Sequence, residues 1–139
     1  MTFIHLANLM QNWGYEIDMK HYYQFKYYLE EMLKKNRVMI VRRNGLIEAV
    51  IIYYLTHDYT KIYKKPMWRV TEDSEDGSQV YIDKMVCRKW TRTAREDIGR
   101  ALQEHFPNAK EVIYHRAPKD RCVKIRRRSE YEPVSSAVC

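Results

Sequence analysis

Cysteine is scarce in this chain: Cys87, Cys122 and Cys139 are the only three in 139 residues. An odd number at wide spacing builds no disulfide framework, and the absence of any Cys-x-x-Cys pair removes the usual zinc-binding signal. A reducing compartment, the cytoplasm, is the expectation. The five histidines are scattered at positions 5, 21, 57, 105 and 115, so no metal is assigned. Four glycines and four prolines are too few for a fibrous or low-complexity chain. No apolar run approaches the ~20 residues of a membrane span. The opening Met-Thr-Phe-Ile-His lacks the basic stretch of a secretory leader, so neither a leader nor a membrane partner is expected.

What is present points to a globular domain. Hydrophobic residues make up 45% and charged residues 31%, enough apolar surface for a core. The net charge of +7 is unevenly placed. Residues 1–83 are neutral, residues 84–128 carry +9, and residues 129–139 carry −2. A basic patch of that kind suits phosphate groups, nucleic acid or an acidic protein surface, or is simply a solvated face.

Thr2 is placed to cap a short helix over Phe3–Asn12 that stops at Gly14. Asp18 is placed to cap a second, Met19–Lys35, whose Tyr22, Phe25, Leu29, Met32 and Leu33 recur at helical spacing, with Asn36 at the exit. Two β-branched runs, Val38–Val41 and Ile47–Leu55, flank Asn44-Gly45, the favoured pair for a two-residue hairpin turn. The second run is apolar on both faces, which predicts a central strand covered on both sides. His57–Lys65 reads as a loop, Pro66–Thr71 as the start of another strand, and Thr71–Ser78 as an acidic turn with nothing for the core. Cys122–Arg128 alternates like an edge strand, and residues 129–139 read as a tail, leaving one domain over 1–128.

The most informative stretch is Val80–Arg116. A β-rich run (Val80–Cys87) enters a basic turn (Arg88–Arg95), then an amphipathic helix with Ile98, Ala101, Leu102, His105 and Phe106 along one face, then a strand (Glu111–His115). Strand, helix, strand is a parallel crossover unit. It brings cations and backbone N–H groups to a helix N-terminus, where anions bind. The fold class is therefore α/β (an α+β mixed sheet): N-terminal helices, an antiparallel hairpin, then a βαβ crossover.

This order resembles the GNAT superfamily of N-acetyltransferases. The similarity is most visible in I-D-K-M-V-C-R-K-W-T-R followed by I-G-R-A-L. The resemblance implies acetyl-CoA or another acyl-CoA as cofactor. Backbone at Met85, Val86 and Cys87 would meet the thioester arm, and Arg88, Lys89, Arg92, Arg95 and Gly99 the pyrophosphate. Arg92 matches the leading Arg of the family's phosphate loop. Arg95 and Asp97 stand where that loop has small residues, so side chains must replace the backbone cradle. The family's usual base is a carboxylate or a bound water near the sheet, for which Asp83 and Glu48 are the candidates; Tyr114 is the candidate acid. Cys87, with no histidine beside it in sequence, reads as a buried strand residue and not as a nucleophile.

Two classes of function follow. One is an acyltransferase acting on an amine. The other is a non-catalytic protein of the same build, similar to phage-encoded relatives that serve in particle assembly, with a protein partner holding the tail. Exposed tyrosines among Tyr22, Tyr23, Tyr27, Tyr28, Tyr53, Tyr54, Tyr59 and Tyr63 would serve such a partner, although Tyr22, Tyr53 and Tyr54 read as core. A weaker third option is nonspecific nucleic-acid binding through Arg126-Arg127-Arg128 and the crossover cations.

Overall fold

The computed structural model describes residues 1–15, 17–62, 65–116, 121–126 and 137–138, with backbone alone from residue 115 onward. Its elements are α1 (Phe3–Asn12), α2 (Tyr22–Lys34), β1 (Val38–Arg43), β2 (Leu46–Thr56), β3 (Gln79–Cys87), α3 (Arg92–His105), β4 (Glu111–Arg116), β5 (Arg121–Arg126) and β6 (Ala137–Val138). β1 to β4 form a mixed sheet in which only β3 and β4 run parallel, and β5 and β6 extend it antiparallel in sequence order.

Local chemistry explains the boundaries. The Thr2 hydroxyl accepts from the His5 amide at 3.2 Å and starts α1. Asp18 accepts from the Lys20 amide at 3.0 Å, but what it starts is a 3-10 turn over Met19–His21, with α2 following. Asn36 ends α2 with φ +60°, and the Arg37 amide then donates back to the Met32 carbonyl at 2.8 Å. Asn44 and Gly45, φ +51° and +79°, make the hairpin turn. Both are left-handed, as the two-residue turn requires.

The sheet is covered on both faces. Leu6, Met10, Phe25, Leu29 and Met32 from α1 and α2 pack on Val50, Ile52, Tyr54, Tyr81, Val86 and Ile113. Ala94, Ile98 and Leu102 of α3 pack on Met39, Ala49, Ile51, Tyr53, Val80 and Ile82. β2 is the central strand, buried along most of its length. His105 is exposed and sits against the Tyr53 ring at the rim, not in the core as its helical spacing suggests.

Three expectations need correction. Residues 66–71 are not a strand. Both edges of β2 are already taken by β1 and β3, and Trp68 instead packs edge-on against Phe25 and Tyr28, at 4.9 and 5.5 Å between ring centroids. The acidic turn is not idle. Arg37 is buried, donates from Nε to Asp73 Oδ2 at 2.6 Å and from Nη2 to Glu75 at 2.8 Å, and Asp73 also accepts from the Leu55 amide. Gly77 permits this close docking, because a Cβ there would lie 2.3 Å from the Thr56 nitrogen. Lastly, β5 is not an edge, since Arg121 and Cys122 pair with Val138 and Ala137. The rest of the expected tail lies outside the described residues, as do Arg127 and Arg128.

Candidate functional site

Two β-bulges place the chemistry. Between β1 and β2, Val41 pairs with Ala49 and Arg42 with Ile47, so Glu48 is the extra residue. Between β2 and β3, Ile52 pairs with Lys84 and Tyr53 with Ile82, so Asp83 is the extra residue. A bulge puts two successive side chains on one face. Asp83 and Lys84 thus both enter the α1/α2 layer, where strict alternation would send one to the α3 side.

There they form a buried ionic cluster. Lys65 Nζ lies 3.0 Å from Asp83 Oδ2 and Lys84 Nζ 3.8 Å from Asp83 Oδ1. The side chains of Lys65, Asp83 and Lys84 are only 6%, 7% and 10% exposed. The Tyr28 hydroxyl donates to Asp83 Oδ2. Lys84 Nζ lies 5.1 Å from the centre of the Trp68 ring, and Lys65 Nζ 5.1 Å from that of Tyr28. Burial lowers the Lys84 ammonium below its ordinary value, Lys65 lowers it further, and Asp83 opposes both. Burial raises Tyr28 well above its ordinary value, with the Asp83 charge adding to it. Tyr15 is pushed up to about 12, by burial first, then by Asp83 and Tyr114. Two ammoniums against one carboxylate leave a net positive charge beneath the Trp68 ring.

The bulge coincides with the end of the β3–β4 ladder. The strands pair from Gln79–Glu111 to Ile82–Tyr114 and no further, although β3 runs on to Cys87 and β4 to Arg116. Beyond Ile82, β3 is held by β2 alone, through Ile51–Met85, Val50–Val86 and Ala49–Cys87. The edge of Asp83–Cys87 that would face β4 is therefore out of the ladder. Tyr114, half-buried, stands at the fork. Of the expected residues, Asp83, Tyr114, Met85, Val86 and Cys87 all come to this place. Cys87 is buried, its Sγ donates to the Lys89 carbonyl at 3.3 Å, and burial raises its thiol, which suits no nucleophile.

The basic turn is shorter than its composition indicates. Thr91 caps α3 by accepting from the Ala94 amide at 3.0 Å, so Arg92 and Arg95 belong to the first helical turn and only Arg88–Thr91 is loop. Arg92 is 91% exposed and pairs with Glu96 at 3.2 Å. Arg88 approaches the Trp13 ring. Gly99 lies well inside α3 with open space where a Cβ would stand, so it neither starts the helix nor admits a close neighbour.

Glu48 is elsewhere, on the α3 face. Its Oε2 and Asp97 Oδ2 are both buried and neither finds a hydrogen-bond donor; Arg43 approaches Asp97 Oδ2 to 3.5 Å as an ion pair. Burial raises the Glu48 carboxyl above its ordinary value, Asp97 raises it further by hydrogen bonding and charge, and Arg43 partly offsets this. Glu48 and Asp83, the two alternative base candidates, thus lie on opposite faces of the sheet.

Comparison with known proteins found no matching family model, no matching curated protein and no matching solved structure. Lys65, Lys84, Tyr28 and Trp68 were not singled out from the sequence as parts of a site. The available signal was Asp83-Lys84 inside an otherwise apolar strand: two adjacent charges in a buried run mark a bulge.

Proposed function

We propose that the chain is a GNAT-like acyl-CoA-dependent amine acyltransferase with an atypical phosphate-binding turn. The observation that carries this reading is the parting of β3 from β4 after Ile82, directly beside the Asp83 bulge. An extended amide-bearing arm such as pantetheine fits an open strand edge, which supplies donors and acceptors at strand spacing. The phosphate end fits less closely. The Thr91 hydroxyl takes one α3 amide, and no glycine opens the turn, so Arg88, Lys89, Arg92 and Arg95 must hold the phosphates by side chain. Acyl-CoA, when bound, supplies the activated thioester. Of the two carboxylates, Asp83 is the one beside the fork and Glu48 is not, so Asp83 is the assigned proton acceptor and Tyr114 the nearby hydroxyl. The test is calorimetric titration with acetyl-CoA and desulfo-CoA at low and moderate salt. Saturable binding that weakens in Arg88→Ala and Arg92→Ala is expected. A folded chain that gives no heat with either ligand would end this reading.

One observation favours a non-catalytic protein of the same build. The α3 N-terminus is capped by its own chain, and Arg95 and Asp97 stand in its first turns, which is poor design for a pyrophosphate. On that reading the cations meet an acidic protein surface or nucleic acid, and salt-sensitive binding to single- and double-stranded oligonucleotides separates the last two.

A further inference from the structure

A cleft of about 840 Å³ lies away from the fork, between the start of α2 and the 66–70 segment, walled by Tyr27, Pro66, Met67, Trp68 and Val70. That volume is in the range of small-ligand sites, about 300–1,000 Å³. On the α2 side the cleft is lined by Asp18, His21, Gln24 and Tyr27, the last 59% exposed. Met67, also exposed, faces the cleft from the other wall.

The cleft continues into a second chamber of about 460 Å³, lined by Lys61, Lys65, Arg69 and Glu72 among others, and the two share Pro66, Arg69 and Val70. Lys65 is spent on Asp83, and Asp18 on the Lys20 amide and His21. Arg69 is exposed and its guanidinium has no ion pair among the described residues; only its backbone is used, its carbonyl accepting from the Tyr54 hydroxyl. So an aromatic-walled chamber opens onto a free guanidinium, with the Lys61 ammonium behind it. Trp68 adds a second source of positive field, because the Lys84 ammonium lies against its ring.

We infer that this cleft binds a small planar aromatic or conjugated anion, with the ring system against Tyr27 and Trp68 and the carboxylate, sulfonate or phosphate on Arg69. Ring contacts supply most of the buried area. A charge-assisted, two-pronged hydrogen bond from the guanidinium orients the ligand and selects the anion. The site meets the ionic cluster at the fork through Lys65 and Trp68 but uses none of the β3–β4 strand edge, so it stands whether or not acyl-CoA binds there.

The experiment is a fluorescence titration of the full chain with anilinonaphthalene sulfonate, an aromatic anion, and with phenylnaphthylamine, its uncharged counterpart. Arg69→Ala is expected to weaken the sulfonate roughly tenfold or more, the size of one charged hydrogen bond, and to leave the neutral probe unchanged. Tyr27→Ala is expected to weaken both, and acetyl-CoA is expected to displace neither. Circular dichroism confirms that each variant is folded, so that probe uptake by a loosened core is not counted. Absence of saturable sulfonate binding, equal affinity in Arg69→Ala, or displacement by acetyl-CoA overturns the inference.

Discussion

Replacing Asp83 by Asn tests the ionic cluster most directly. The side chain keeps its shape but loses the charge that holds Lys65 at 3.0 Å and Lys84 at 3.8 Å. At the effective dielectric that describes such sites, about 20, each contact is worth on the order of 4–6 kcal/mol of Coulomb energy before desolvation is counted. Measured losses on breaking a buried pair are about 3–5 kcal/mol, because the stranded charge still has to be buried. Here two ammoniums are stranded side by side, so the expected loss at pH 7 is about 4 kcal/mol, a large share of a typical domain's stability. Urea unfolding reads it as a fall in the midpoint at constant slope. Two companion results identify the cause. Adding Lys84→Met, whose thioether suits the Trp68 and Tyr28 rings, should restore part of the loss. The deficit should also shrink from pH 7 to pH 10. Lys84 titrates lower in the folded chain than in the unfolded one, so the folded state gains relative stability as the ammonium deprotonates, and losing Asp83 lowers it further. A loss below about 1 kcal/mol, or a deficit independent of pH, would falsify the claim that these charges are buried together.

Other consequences are equally open to measurement. Because the Glu48 carboxyl is raised above its ordinary value near 4.5, its contribution is full below that pH and fades as pH rises through the folded value; Glu48→Gln, which can donate to Asp97 at every pH, should flatten the stability profile above pH 5, and an unchanged profile would count against the Glu48–Asp97 contact. Arg37→Met leaves Asp73 buried without its partner and should cost about 3 kcal/mol or more in denaturant midpoint; a near-neutral change would mean that the 71–78 turn is not docked. Gly77→Ala forces a Cβ onto the Thr56 backbone and should destabilise by about 1–3 kcal/mol, whereas Gly99→Ala, with open space around it, should be neutral or stabilising by up to ~1 kcal/mol in thermal melts. Thr91→Ala should cost about 1 kcal/mol by removing the α3 cap; a loss in the tenths would put the cap's role in doubt.

How much of this was legible without coordinates depended on the range of the interaction. Thr2, Asn36 and Asn44-Gly45 act within a few residues of themselves, and each ends or starts the element that its side chain predicts. The central position of β2 was readable because burial on both faces removes polar residues from both registers. By contrast, Thr91 caps α3 as other threonines do, but the arginines around it give the segment the composition of a basic turn, which hides the helix start. The acidic turn looked inert because nothing within it shows that Arg37, distant in sequence, is buried and needs two carboxylates.

The chain by itself thus determined the helices, the hairpin, the parallel crossover and the division of charge, since helical period, turn chemistry and strand alternation are local properties. Only the tertiary structure decided that Asp83 and Lys84 share a face, that Lys65 and Tyr28 meet them there, that Glu48 faces Asp97, and that β3 leaves β4 after Ile82. The physical reason is that a bulge adds one residue to a ladder and reverses the facing of every side chain beyond it. Its position is fixed by pairing between strands and not by the residues of either strand alone.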